Sequence, residues 1–99
     1  MDAHGTPLTL RLYVSGQAVN SRAAIRNLET LRGLLRDGAA VEVVDVREHP
    51  ELAEEDRIFA TPTLVRRSPT PVRKIIGDLS DTERVLVGLE IDASGTTPD

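Results

Sequence analysis

The sequence predicts a single α/β domain whose first half is a strand–helix–strand unit, and three observations carry that reading. Residues 8–15 alternate apolar with polar or amphipathic side chains, residues 21–36 repeat apolar residues at helical spacing, and residues 40–46 return to β-branched residues. Ninety-nine residues, 39% of them hydrophobic and 28% charged, suffice for one core and are ordinary for a globular chain.

In Leu8-Thr-Leu-Arg-Leu-Tyr-Val-Ser15, the residues Leu8, Leu10, Leu12 and Val14 share one face at a period of two, so a strand is expected over 8–15, broken by Gly16. Asn20 or Ser21 is the expected helix cap, because a short polar side chain accepts hydrogen bonds from the free amides of a first turn. Ala24, Ile25, Leu28, Leu31, Leu34 and Leu35 then mark a helix over 21–36, ended by Asp37-Gly38. Ala40-Val-Glu-Val-Val-Asp-Val46 carries β-branched residues on both faces and reads as a central, two-sided strand over 40–46. Strand, helix and strand within about 40 residues form a βαβ unit, whose crossover is right-handed in about 98% of cases.

The second half admits two readings. Pro50-Glu-Leu-Ala-Glu-Glu-Asp-Arg-Ile-Phe59 suits a helix, with proline in the first turn, acids at the positive end, and Leu52 and Phe59 on a similar face. Thr63–Arg67 and Val72–Ile76 read as two strands around the proline-rich turn Ser68-Pro-Thr-Pro71, the second broken by Gly77-Asp78. Ser80-Asp-Thr-Glu83 is a capping box, with Ser80 as cap, and opens a helix over 81–90. Yet Val85, Val87, Leu89 and Ile91 alternate with Leu86, Gly88, Glu90 and Asp92, so a strand template fits too. In a helix, Gly88 costs on the order of 1 kcal/mol against alanine. Residues 1–92 are expected to form the domain and residues 93–99, rich in Ser, Gly, Thr and Pro, a disordered tail.

Composition excludes several chemistries. The absence of cysteine rules out disulfides, thiol redox work and Fe–S clusters and suits a cytoplasmic protein. Met1–Gly5 lacks the basic and apolar regions of a secretory signal, and no apolar run approaches the roughly 20 residues that span a bilayer, so no membrane association is expected. A net charge of −4 and only two aromatics, Tyr13 and Phe59, argue against nucleic acid. His4 lies near the terminus, and His49, with Asp45 and Glu48, falls short of a ligand set for zinc. Glu51, Glu54, Glu55 and Asp56 read as a capping and solvating face, and Ser15, Ser21 and Ser80 lack a histidine partner. No phosphate-binding glycine loop occurs. Arg66, Arg67, Arg73 and Lys74 read as solvated hairpin arms or ion-pair donors to an acidic protein. No catalytic, cofactor or metal site is expected; the remaining function is binding.

Leu12-Tyr-Val-Ser-Gly16, Asn20-Ser21, Val44-Asp-Val46, Pro50–Asp56, Ala60-Thr-Pro-Thr-Leu64 and, above all, Pro71-Val-Arg-Lys-Ile-Ile-Gly-Asp-Leu-Ser80 resemble the KaiB family of circadian clock proteins, over residues 8–91. Phe59–Leu64 is also similar to the cis-proline loop of thioredoxin-like proteins, but Gly16–Ser21 stands where thioredoxins keep their cysteine pair. The resemblance implies a non-enzymatic regulator that binds the N-terminal ATPase ring of KaiC, sequesters KaiA and displaces a sensor histidine kinase. It implies a metamorphic, thioredoxin-like fold whose C-terminal half is either αββα in the switched monomer or βααβ in an oligomeric ground state. It further implies Glu51 and Arg57 as partner contacts, with Arg73 and Lys74 in the switched half, and Gly88 and Glu90 as switch positions. Pro62, Pro69 and Pro71 are the expected gates of the change, since X-Pro isomerisation takes tens to hundreds of seconds, with Pro62 expected cis in the thioredoxin-like state.

The chain also departs from the family. Leu8 stands where clock members often have Tyr, and aromatic residues common near the C-terminus are missing after Ile91; these positions bear on oligomerisation, leaving a homodimer or homotetramer as the expected ground state. Glu42 stands where cyanobacterial members carry Lys near the KaiA contact, which points to a system without KaiA, such as an hourglass timer or a stress-response module.

Overall fold

The computed structural model describes residues 7–35 and 39–91. The elements run β1 (Thr9–Val14), α1 (Val19–Arg32), β2 (Ala40–Asp45), α2 (Pro50–Glu55), β3 (Thr63–Ser68), β4 (Arg73–Ile76) and α3 (Thr82–Gly88). The C-terminal half is therefore αββα, the first of the two orders. The strands form one mixed sheet in the order β2-β1-β3-β4, with β1 parallel to β2 and antiparallel to β3, and β3 antiparallel to β4.

Alternation on β1 divides the protein into two layers. Leu10, Leu12 and Val14 enter the larger core, with Ala24, Leu28 and Leu31 of α1, Leu64, Ile75, Val85 and Leu89. Tyr13 points the other way, into a smaller cluster with Val44, Ala53 and Val65. α1 and α3 thus cover one sheet face, and the short α2 covers part of the other.

Several local expectations are corrected. β2 is an edge strand, not a central one: among the described residues β1 is its sole neighbour in the sheet, and Val43 is 46% exposed. Its β-branched residues face two ways because Val44 packs toward α2 and Val41 toward the larger core. α1 starts before Asn20 and Ser21, with Ala18 at the cap and no side-chain cap bond. The Ser21 hydroxyl instead accepts from the Ser15 amide at 3.0 Å, tying the helix to the end of β1. α1 ends at Arg32, four residues before the expected limit, and the Gly33 amide reaches the Thr30 carbonyl at 3.2 Å. Asp37-Gly38, His4 and the tail 93–99 lie outside the described residues. Before α3 the cap is Asp81, whose carboxylate accepts from the Arg84 amide at 3.1 Å. Ser80, one residue early, donates its amide to Asp78 Oδ1 at 3.0 Å, and hydrogen bonds from the Ser80 side chain, then its amide, hold the Asp78 carboxyl below its ordinary range.

The glycine after β1 has a conformational reason. Gly16 has φ of +53°, and its amide donates to Asp45 Oδ2 at 3.2 Å. That carboxylate also takes Arg47 Nη2 at 3.2 Å, and the Arg47 hydrogen bond pulls the Asp45 pKa down. The ends of β1 and β2 are joined there by polar contacts.

Candidate protein-docking face

α2 stops at Glu55, so the expected helix 50–59 is corrected to six residues. Arg57 follows with φ of +55°, a left-handed residue that turns the chain out of the helix. Consequently Phe59 does not lie over Leu52 on a helical face. Its side chain is 92% exposed, the most solvent-accessible large apolar residue among those described. Beside it a groove of about 400 Å³ is lined by Val46, Pro50, Ala53, Ile58 and Phe59, with Glu54 and Arg57 contributing charge. Glu51, Glu54 and Glu55 project from α2 into solvent. An apolar ring held out in water within a field of charges is what a protein–protein contact needs: an anchor to desolvate and polar groups to orient it.

α2 is held down by a polar network. The Tyr13 hydroxyl donates to Asp56 Oδ2 at 2.5 Å, with the Leu52 carbonyl 3.0 Å away, and accepts from Arg11 Nη1 at 3.0 Å. Asp56 Oδ2 is also 3.3 Å from Arg11 Nη1 and 3.4 Å from Arg67 Nε, while Arg11 Nε pairs with Glu42 at 2.5 Å. Burial, then the Asp56 hydrogen bond, raises the Tyr13 phenol above its ordinary value.

The sequence-predicted partner residues fall into two groups. Glu51, in the first turn of α2, lies 3.4 Å from His49 Nδ1. Lys74 Nζ donates to the Arg57 carbonyl at 3.2 Å, so Lys74 joins Glu51 and Arg57 on the α2 side. Arg73, one strand position away, faces the opposite layer, where its Nη2 pairs with Glu90 Oε1 at 3.3 Å. Glu90 has φ of +56° just past α3. Next to it Gly88 ends the helix, and a Cβ placed there would lie 2.9 Å from Ile75 Cδ1. The Thr61–Pro62, Ser68–Pro69 and Thr70–Pro71 bonds are all cis. Pro62 is buried, its carbonyl accepting from the Gly77 amide at 3.0 Å, and Pro69 and Pro71 flank the hairpin tip.

The basic group is corrected as well. Arg67 is engaged by Asp56, and Arg66, far from being a solvated arm, is 2% exposed. Its Nη1 donates to the Leu89 carbonyl at 2.9 Å and lies 3.4 Å from that of Glu90, and its Nη2 donates to that of Pro71 at 2.7 Å. Burial lowers its pKa. A cation at these carbonyls sits at the negative end of α3.

Among the described residues no cluster of three His, Asp or Glu side chains could hold a metal, and no helix is long and apolar enough to cross a membrane.

Known proteins resemble this chain in sequence and in fold. The KaiB domain family matches residues 11–91. The "circadian clock oscillator protein KaiB" of Rippkaea orientalis is 54% identical over 86 residues, covering 83% of this chain and 80% of its own. That of Parasynechococcus marenigrum is 55% identical over 86 residues with the same coverage. In three dimensions, the N-terminal domain of Synechococcus elongatus SasA superposes with a TM-score of 0.64 at 23% identity, over 88% of this chain and 85% of that one. Mitochondrial thioredoxin 3 of Saccharomyces cerevisiae gives 0.69 at 18% identity, over 88% and 80%. Those two likenesses establish a thioredoxin-like fold, and the relatives carry the name of a clock protein rather than of an enzyme. By sequence over most of its length, the chain belongs to the KaiB family.

Proposed function

We propose that this protein is a non-catalytic, cytoplasmic timing regulator that binds the N-terminal ATPase ring of a KaiC-type ATPase and thereby alters its phosphorylation state and output. The observation that carries the reading is Phe59, exposed beside an apolar groove in a chain about 54% identical to clock oscillator proteins. Glu51, Arg57 and Lys74 are the charged contacts around it. Size-exclusion with light scattering, with and without a KaiC-type ATPase and ATP, tests this: co-elution supports the reading, and its persistent absence overturns it.

The αββα order is the binding form in this proposal, exchanging with an oligomeric βααβ form. Arg73, Gly88 and Glu90 then belong to the balance between the two forms, not to the docking face. Gly88→Ala should favour α3 by up to about 1 kcal/mol, roughly fivefold in population. The new Cβ meets the terminal methyl of a buried Ile75 at 2.9 Å, so part of the gain is lost in repacking. Adding Ile75→Val removes that methyl, and a double-mutant cycle should show favourable coupling between the two changes. Oligomer mass and NMR spectra report the populations; if Gly88→Ala leaves both unchanged, the proposed role of Gly88 is wrong.

A setting without KaiA, in which the partner is a KaiC-type ATPase or a histidine kinase in a stress response, is favoured by Glu42. This acid lies exposed on the β2 edge and is paired with Arg11. Tight binding to a KaiA by calorimetry would refute it, and capture of a kinase but no ATPase would favour the kinase.

A further inference from the structure

α2 has little to hold it in place. A helix of six residues has no stability of its own in water; Ala53 is its one buried side chain, with Leu52 partly buried beside it. Yet it carries Glu51 and Glu54 and sets the course of the chain to Phe59. What fixes it is the carboxylate of Asp56 at its C-terminus, gripped by Tyr13 at 2.5 Å and approached by Arg11 and Arg67. Tyr13 is wholly buried on β1, an interior strand, so one end of the grip belongs to a strand paired on both sides.

We propose that Tyr13 and Asp56 form a latch that positions residues 50–60 as a unit, and that a protein binding the face around Phe59 does so at an affinity set by the closure of this latch. Both are positioning residues: they lie beneath the face. The affinity half rests on the KaiC-binding reading above; the latch half does not. The chemistry suits such a device. Tyr13→Phe retains the ring and its packing while removing the hydroxyl that donates to Asp56, and Asp56→Asn retains an acceptor while removing the charge that draws Arg11 and Arg67.

The sequence supplies its own probe, since Tyr13 is the only tyrosine and there is no tryptophan. Phenolate absorbance therefore reports this one site. The charged groups facing the phenol are Arg11 of β1 and Asp56 beyond α2, with Glu42 of β2 and Arg67 of β3 reaching it through those two; Lys74 of β4 contacts the Arg57 carbonyl. A phenol whose pKa is raised in the fold contributes stability that is complete below the free value of about 10 and lost as pH rises through the folded value. In Asp56→Asn the phenolate should form at lower pH than in the wild type, and an unchanged titration curve overturns the latch.

Amide hydrogen exchange is the second readout. Loss of a hydrogen bond to a charged group should speed exchange over residues 50–60 by about tenfold to a hundredfold in either variant, while the amides of β1 and β3 keep their protection. Equal acceleration everywhere would mean that the pair merely stabilises the whole fold, and no acceleration would mean that α2 is held by other contacts; both overturn the proposal. In the third arm, the KaiC-type N-terminal ring is titrated with the wild type and both variants. Weakening by about tenfold supports the coupling, and an unchanged Kd alongside faster exchange in 50–60 overturns it. If the wild type itself does not bind, the KaiC reading fails, and the phenolate and exchange measurements decide the latch alone.

Discussion

Arg66→Ala is expected to destabilise this fold by about 2–4 kcal/mol, because removing the buried guanidinium leaves the Leu89 and Pro71 carbonyls without their donor and opens a cavity in its place. For a domain of this size each kcal/mol lowers Tm by about 4–8 °C, so a fall of about 10–25 °C should be visible in a thermal melt. The side chain joins β3, the tip of the β3–β4 hairpin and the end of α3, and it supports Glu90 in a left-handed conformation that an L-residue adopts at a cost. Its Nε has no hydrogen-bond partner among the described residues, so the site is not an optimal home for a charge. That distinguishes two substitutions. Arg66→Met keeps most of the volume and removes the desolvation penalty, and should lose clearly less than Ala. Should Ala cost no more than a surface substitution, about 0.5 kcal/mol, Arg66 does not anchor α3.

How far the sequence foretold this arrangement depends on whether a local pattern or a distant partner decides each feature. The β1 period and the turn at Gly77 are local, and the structure follows them; of the expected α1 stripe, Ala24, Leu28 and Leu31 enter the core, whereas Ile25 and Leu34 are exposed, Leu34 because the helix ends at Arg32. Residues 81–91 fitted two templates; here residues 82–88 form α3, and Val85 and Leu89 in the core with Val87 70% exposed is the division the helical period gives and the strand period does not. The edge position of β2 is invisible in its own residues, since β-branched side chains on both faces suit an edge strand flanked by helices as well as a central one. The end of α2 depends on Tyr13, 43 positions before Asp56, and no window of sequence contains both. Arg66 offered still less warning: arginine in a polar hairpin normally faces water, and its burial follows from where α3 ends. For the proposed docking face, Glu51 and Arg57 were expected only through the family resemblance, their own pattern reading as a solvated helix face. Phe59 was missed as a surface group because the helical period assigned it to the core side, and only the early stop of α2 turned it outward.

The sharpest consequence concerns that residue. Phe59→Ala should leave the stability of the free protein within about 0.5 kcal/mol of the wild type, because a ring this exposed buries almost nothing on folding. Binding to the KaiC-type ring should instead weaken by 2 kcal/mol or more, about thirtyfold, as for aromatic anchors that are desolvated at the centre of an interface. Phe59→Leu should retain part of the affinity, since it keeps apolar bulk at the groove. Arg57→Ala and Glu51→Ala, charged and exposed, should act mainly on the association rate and its salt dependence. Isothermal calorimetry beside a thermal melt separates the cases. A variant with intact Tm and lost binding identifies Phe59 as the anchor; intact Tm with intact binding moves the docking face elsewhere on the molecule. A large loss of Tm would mean instead that the ring packs in solution.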